Sequence, residues 1–316
     1  MAAESKDDGS DTPLPMEAAG KLKAALGDEG KRYAVAVDGS EMAHKAFLEA
    51  CKLLNRDDYI HIIHVADHSK KYLPYDLRPE NIQEAYETNC LTRFPKERYA
   101  VVKIRKEEGK TTREAICTYV NKVGFDYLVV GMVGRKGPKL DPTILGSTAD
   151  YSLRSAHCTS VIVKKPTSGP NKFVVGVDGS ERAHKTVFET ISQANEDDEI
   201  VVLNITSSDG EVGLSADFKG PALKEKYEKL CESVESKCPV TFAQIQQSRG
   251  QTVADCLVDF AYDNDATYLV IGADGVGAYS AGRAVFGSNS DRTVRISRPS
   301  VIVTQDRSET VEIRRE

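Results

Sequence analysis

The residue types in this chain best suited to chemistry occur in pairs. Asp38-Gly39-Ser40 and Asp178-Gly179-Ser180 each set a carboxylate, a glycine and a hydroxyl directly after a short apolar run. Gly131-x-x-Gly134 is followed after eleven residues by Gly146-Ser147, and Gly272-x-x-Gly275 after eleven residues by Gly287-Ser288. Glycine lets the backbone turn sharply and approach a ligand closely. A Gly-Ser pair opening a helix offers free N–H groups and the positive end of the helix dipole, which suit a phosphate. No Gly-Lys-Ser/Thr follows the glycines, so the loop is not of the Walker type. Each motif alone has a plain structural explanation. A glycine-rich connection after a strand is commonly a turn, and Asp-Gly-Ser is a helix start with serine as the N-cap. Both motifs kept in order, twice in one chain, point to phosphate binding.

The elements that position these motifs are duplicated as well. Residues 34–49 read AVAVDGSEMAHKAFLE and residues 174–189 read VVGVDGSERAHKTVFE, an offset of 140. YLVVGMVGRKGPKLDPTILGST from Tyr127 returns as YLVIGADGVGAYSAGRAVFGSN from Tyr268, and each copy closes with SVIV, at 160–163 and 300–303. A near-constant offset over about 130 residues marks duplicated domains rather than a solenoid of short units. The copies span 31–165 and 172–305, joined by PTSGPN at 166–171. Within 1–30, residues 1–14 are polar and acidic and read as disordered, while 15–27 have the composition of one short helix; 306–316 read as a loose charged tail.

Each copy begins with a strand, Tyr33–Val37 or Phe173–Val177, followed by a helix capped by Ser40 or Ser180. Ala43, Ala46, Phe47, Ala50 and Leu54 recur there at helical spacing. Strands follow at Tyr59–Val65 and Ile200–Ile205, and helices near 79–93 and 221–236. Third strands lie near Ala100–Ile104 and Val240–Ile245, then helices at 111–122 and 251–263. Fourth strands, Tyr127–Val130 and Tyr268–Ile271, run into the glycine loops; a last helix from Ser147 or Ser288 and an SVIV strand complete each copy. Alternating strands and helices predict βαβ units, and the continuous apolar runs predict strands buried on both faces. The fold class is α/β: two tandem doubly wound domains with helices on both faces of each sheet. Ligands in such sheets bind outside the strand carboxyl ends, where strand order reverses. If the first and fourth strands are neighbours, the Asp-Gly-Ser step and the glycine loop face each other there.

A chain of 316 residues with 40% apolar and 28% charged residues fits two soluble domains. No apolar stretch approaches membrane-spanning length, and the first residues lack a secretory signal pattern. The net charge of -6 gives no footprint for nucleic acid, and seven scattered cysteines read as reduced thiols in a cytoplasmic setting. His61, His64 and His68 suggest a metal spacing. However, His61 and His64 point to opposite faces of a strand, and the second copy has Val202, Ile205 and Asp209 instead, so no metal site is expected. His44 and His184 read as surface or packing residues. A Ser40-His44-Asp38 triad lacks a nucleophile elbow, and Cys231 and Cys238 read as separate thiols.

At this point the chain resembles the universal stress protein family. That family's signature is Gly, two residues, Gly, a spacer, then Gly followed by Ser or Thr, with a first strand ending in Asp. The resemblance covers about 270 of the 316 residues. It implies five-stranded parallel sheets of order 3-2-1-4-5, and an adenine nucleotide, ATP, with Mg²⁺ as its companion ion. It implies that Asp38 and Asp178 contact the adenosine part and that the backbone at Val65 and Ile205 faces adenine. Gly131, Gly134, Gly146 and Ser147, and in the second copy Gly272, Gly275, Gly287 and Ser288, would hold ribose and phosphates. Val130 and Ile271 end the strands before these loops, and Thr148 and Asn289 would offer a further N–H. It also implies pairing of the two domains through their fifth strands within one chain, with dimerisation of that unit to a homodimer a further possibility, alongside an unidentified protein partner.

The spacer of eleven residues departs from the family's shorter one. Arg135, Lys136 and Lys139 in the first loop, against Asp274 and Arg283 in the second, lead to the expectation that the first copy binds phosphates better. Three functions stay open: a nucleotide-binding regulatory protein of the stress response, a slow ATPase, and an interaction scaffold without nucleotide. No water-orienting residue repeats in both copies, so no catalytic residue is assigned.

Overall fold

Short apolar runs separated by capped helices become the strands of one sheet. The computed structural model describes residues 30–67, 74–92, 94–137, 141, 143–206, 219–275 and 286–305. The expected helix at 15–27, the tail at 306–316, His68, Lys139, Asp209 and Arg283 lie outside these.

The first half runs β1 (Arg32–Ala36), α1 (Glu41–Leu53), β2 (Tyr59–Ala66), α2 (Pro79–Ala85), β3 (Tyr99–Arg105), α3 (Thr112–Val123), β4 (Tyr127–Gly131), α4 (Ser147–Ser155) and β5 (Thr159–Val163). The second runs β6 (Lys172–Val177), α5 (Glu181–Gln193), β7 (Glu199–Thr206), α6 (Gly220–Ser233), β8 (Val240–Gln246), α7 (Val253–Asp263), β9 (Tyr268–Gly272), α8 (Ser288–Ile296) and β10 (Ser300–Thr304). One expected helix is shorter than its pattern. The run at 79–93 leaves α-helical geometry after Ala85 and continues as a π turn over Tyr86–Cys90. The Leu91 N–H reaches back to the Tyr86 carbonyl at 3.0 Å, and Thr88 returns its hydroxyl to Glu84 O. Such back-bonding competes with the helix ladder.

The sheet order is β3-β2-β1-β4-β5-β10-β9-β6-β7-β8. Each half has the order 3-2-1-4-5 with parallel pairing, and the halves meet through antiparallel β5 and β10, with Val161 opposite Ile302. Every residue of these two strands is buried. An apolar edge is thereby removed from solvent, which an exposed SVIV strand would otherwise present. Alternation along the strands divides the core into two layers that both cross the junction. Val35, Ile62, Val175 and Val202 lie on one face with α1 and α5 residues such as Phe47 and Val187. Ala34, Ile63, Val174 and Leu203 lie on the other with Val120 and Val258 of α3 and α7.

Two glutamates exchange partners across this junction. Glu49 of α1 is 1% exposed and accepts from the N–H of Thr167 at 2.6 Å, from the Thr167 hydroxyl at 3.0 Å and from Tyr268 Oη. Glu189 of α5 accepts from Thr159 Oγ1 at 2.7 Å. On the opposite face α4 and α8 exchange ion pairs: Arg154 with Asp291 and Arg295 with Asp150, both at 2.6 Å.

Candidate functional site

The register makes β1 and β4 neighbours, with Val35 beside Val129, and β6 and β9 neighbours, with Val175 beside Val270. The Asp-Gly-Ser step and the glycine loop therefore leave adjacent strand ends in both halves. Gly39 and Gly179 take φ of +82° and +88°, a left-handed conformation that side chains disfavour. Ser40 Oγ accepts from Ala43 N at 3.2 Å and Ser180 Oγ from Ala183 N at 3.1 Å, so both serines are caps. Oδ1 of Asp38 and of Asp178 accepts the Ser40 or Ser180 N–H at 3.0 Å. One carboxylate oxygen thus fixes the turn, while Oδ2 faces the glycine loop.

Both loop glycines approach Oδ2 closely, and a side chain at Gly275 would displace the Asp178 carboxylate. A Cβ on Gly275 would lie 2.4 Å from Asp178 Oδ2, and one on Gly134 would lie 3.0 Å from Asp38 Oδ2. The loops then fold back, with the Gly146 N–H on Met132 O and the Gly287 N–H on Ala273 O, both at 2.8 Å. Gly146 and Gly287 are the N-caps of α4 and α8, and neither helix start is capped by a side chain. Ser147 and Ser288 are first residues, so the first-turn N–H groups are available to a ligand.

In the second half these pieces enclose a cavity of about 460 Å³. Asp178, Ile205, Ile271, Gly272, Gly275, Gly287, Ser288 and Asn289 all line it. The structure brings together every residue the sequence assigned to the second site. In the first half, Val65 and Val130 lie in one apolar cluster with Leu145, Gly134 approaches Asp38, Gly131 packs on Met42, and Gly146 is the N-cap of the helix that Ser147 and Thr148 open.

Four residues went unnoticed in the sequence. Arg182, in the first turn of α5, packs on Gly272 and pairs its Nε with Asp274 Oδ1 at 2.6 Å. Asp274 is therefore partnered rather than opposed to a phosphate. Phe286 lines the cavity and lies under the guanidinium of Arg154, which belongs to the other half, at 5.5 Å. Ser290 Oγ donates to Gly272 O at 2.8 Å. Asn204 Nδ2 donates to Val177 O at 2.9 Å, immediately before the aspartate, and the matching His64 Nδ1 lies 2.8 Å from Val37 O. The available signal was positional: Arg182 stands where the first copy has Met42, and the strand register matches His64 with Asn204, which corrects the sequence match of His64 with Ile205. In the first half the backbone N–H of Arg135 donates to Asp38 Oδ2 at 3.0 Å and its Nε lies 3.8 Å from that oxygen, while its Nη1 is buried without a hydrogen-bond partner.

His61 faces Tyr119 and Phe125 on the other side of the sheet from His64, and burial pushes its pKa down to about 4. His44 stacks on Phe47, and His184 meets Phe188 edge-on. Among the described residues, no group of three or more His, Cys, Asp or Glu could hold a metal ion, and Cys231 and Cys238 are both free thiols.

The sequence model of the universal stress protein family matches residues 30–164 and again 170–305. The chain belongs to the universal stress protein family. A universal stress protein of Methanocaldococcus jannaschii is 30% identical over 144 residues, 43% of this chain and 83% of its own length. Among solved structures, a universal stress protein from Archaeoglobus fulgidus superposes with a TM-score of 0.56 at 17% identity, covering 89% of this chain and 98% of its own. A functionally unknown protein from Pseudomonas aeruginosa PAO1 gives a TM-score of 0.57 at 14% identity, covering 92% and 97%. These likenesses are of fold. The universal stress protein described here thus carries its two family units in a continuous sheet. Among the described residues no helix is long and apolar enough to cross a membrane.

Proposed function

We propose that this universal stress protein binds an adenine nucleotide, ATP, with the second half as the principal site. The observation that carries this reading is the single cavity onto which all eight second-half signature residues converge. Its volume falls within the roughly 300–1,000 Å³ typical of small-molecule sites. Ile205, Ile271 and Leu257 supply an apolar wall for the base, and Asp178 Oδ2 supplies an acceptor suited to a ribose hydroxyl. The start of α8, with Gly287, Ser288 and Asn289, supplies N–H groups for phosphate. Mg²⁺ fits as a companion of the phosphates, since that ion keeps several waters and leans on phosphate oxygens.

The asymmetry expected from loop charges is redrawn in this reading. The acid counted against the second loop, Asp274, is paired with Arg182, and the base counted for the first, Arg135, is engaged with Asp38. The nucleotide's role is occupancy-dependent regulation rather than turnover. The test is to release small molecules from the purified chain, identify them by mass spectrometry, and titrate the stripped protein with ATP. One tight site lost on plugging the second cavity supports the reading. No binding of any adenine nucleotide would leave a duplicated scaffold.

A further inference from the structure

The two outer strands of the sheet are β3 and β8, one from each half. They hold the same place in the duplicated fold, and the registers match them residue by residue. Lys103 of β3 stands beside His64, and Gln244 of β8 beside Asn204. Arg105 stands beside Ala66, and Gln246 beside Thr206. β3 reads YAVVKIR and β8 reads VTFAQIQ. The first edge thus ends in two cations, whereas the second carries no charge along its length. Charged side chains, lysine above all, keep an outer strand from pairing with another chain. β8 lacks them, lacks proline and glycine, and holds Val240, Thr241, Phe242 and Ile245, all residues that favour strands. Most of β7 is buried, but no residue of β8 is. Among the described residues β8 pairs with β7 alone.

The hydrogen bonds to β7 fix which backbone groups of β8 turn outward. Ile200 donates its N–H to Pro239 O at 3.0 Å, and Gln247 donates to Thr206 O at 2.8 Å. Residues along a strand alternate in direction, so the odd-numbered residues of β8 turn N–H and C=O to β7. Val240, Phe242, Gln244 and Gln246 turn theirs to the open side. Two of these residues have side chains already held within the chain. Phe242 stacks on Tyr227, and Gln244 Nε2 donates to Asn204 Oδ1 at 2.9 Å and to Gly220 O at 2.8 Å. The edge is therefore fixed in place before a partner arrives.

We propose that β8 pairs antiparallel with β8 of a second copy of this chain, about a two-fold axis at Ala243. Val240 then faces Gln246 of the second copy, and Phe242 faces Gln244, so every outward residue exchanges both of its backbone hydrogen bonds. The chain already joins its own halves in this manner, through antiparallel β5 and β10 with Val161 opposite Ile302. Val161 and Ile302 lie in one core layer, so the helix layers continue across that seam, and pairing at Ala243 repeats the arrangement. An uncharged strand meets its own copy without repulsion, and the main chain supplies the affinity. At β3 the same pairing would crowd Lys103 and Arg105 of two copies along one seam. The seam uses no residue of the nucleotide cavity and does not depend on that reading.

Sedimentation equilibrium of the full chain from about 10 μM to about 1 mM tests the pairing, because a seam one strand long is smaller than a standard interface and associates weakly. The wild type should pass from monomer to dimer. Gln244→Lys/Gln246→Arg, which gives β8 the cations of β3, should stay monomeric. Gln246→Pro keeps the ladder to β7, since the N–H it removes turns outward, and should weaken the dimer about tenfold through the bonds lost from both copies. Circular dichroism separates loss of fold from loss of pairing. In the wild type, amide exchange at Phe242, Gln244 and Gln246 should slow as the chain is concentrated. A wild type that stays monomeric overturns the proposal and leaves the edge to an extended peptide of another protein. A dimer that survives both variants, or that forms without slowing those amides, overturns it too, since the contact then lies elsewhere.

Discussion

The carboxylate of Glu49, on a helix of the first half, accepts the hydroxyl of Tyr268, in a strand of the second. With the two contacts from Thr167, the buried acid is held by three donors, from the linker and from the second half. Glu49→Ala leaves those donors in a buried place without an acceptor. The expected cost is about 3 kcal/mol, since each unsatisfied group loses on the order of 1–3 kcal/mol. The two ion pairs between α4 and α8 are partly exposed, and Arg154→Ala should cost about 0.5–1 kcal/mol. Urea unfolding midpoints at constant slope rank the two. A larger loss from Arg154→Ala would show that the junction is held by its charged face instead.

Gly275→Val sets a branched side chain where Asp178 Oδ2 now lies. The loop is at a strand end and not in the core, so far-ultraviolet dichroism and the unfolding midpoint should change little. Calorimetric titration should show the principal ATP site lost, and Gly134→Val should have the smaller effect. The reverse ranking would restore the asymmetry that the loop charges suggest.

Much of this was legible before the structure. Period and repeat are local signals, so the strands, the caps at Ser40 and Ser180 and the paired glycine loops were available from spacing alone, whereas the strand order came from the family resemblance. Fifth-strand pairing came from the family resemblance, supported by an apolar SVIV run that would be an exposed edge if left alone. Pairings between distant side chains were not legible. Nothing in the order of residues says that Arg182 answers Asp274, or that Arg154 lies over Phe286 in the other half. The same gap hid the partner of His64, whose ring nitrogen lies against the Val37 carbonyl.

His61 provides a test by pH. Burial holds its folded pKa near 4, below the ordinary value of 6.5, so the folded protein keeps the ring neutral. Below about 6.5 the unfolded chain takes up a proton that the folded chain refuses. Stability is therefore fully present above that pH and is lost as pH falls toward 4. The slope for one proton is about 1.4 kcal/mol per pH unit. His64 is shifted in the same direction, also chiefly by burial. His61→Phe should remove one proton's share of the acid slope, so the stability difference from wild type shifts in favour of the variant as pH drops from 6.5 to 4. A pH-independent difference would mean that His61 does not titrate on unfolding.

Asp178 has two tasks that substitution can separate. Oδ1 accepts the Ser180 N–H at 3.0 Å, and Oδ2 faces Gly275 and the cavity. Asp178→Asn keeps an oxygen for the turn and removes the charge; Asp178→Ala removes both. Asn should hold stability within about 0.5 kcal/mol, whereas Ala loses a hydrogen bond worth about 1 kcal/mol. If the carboxylate accepts a ribose hydroxyl, Asn should weaken ATP about tenfold, because bonds to a charged acceptor are about twice as strong as neutral ones. Titration of both variants beside their unfolding midpoints decides between the tasks. An Asn variant that binds ATP like wild type would confine Asp178 to shaping the turn, and the recognition of the nucleoside would then rest on the backbone of the strand ends.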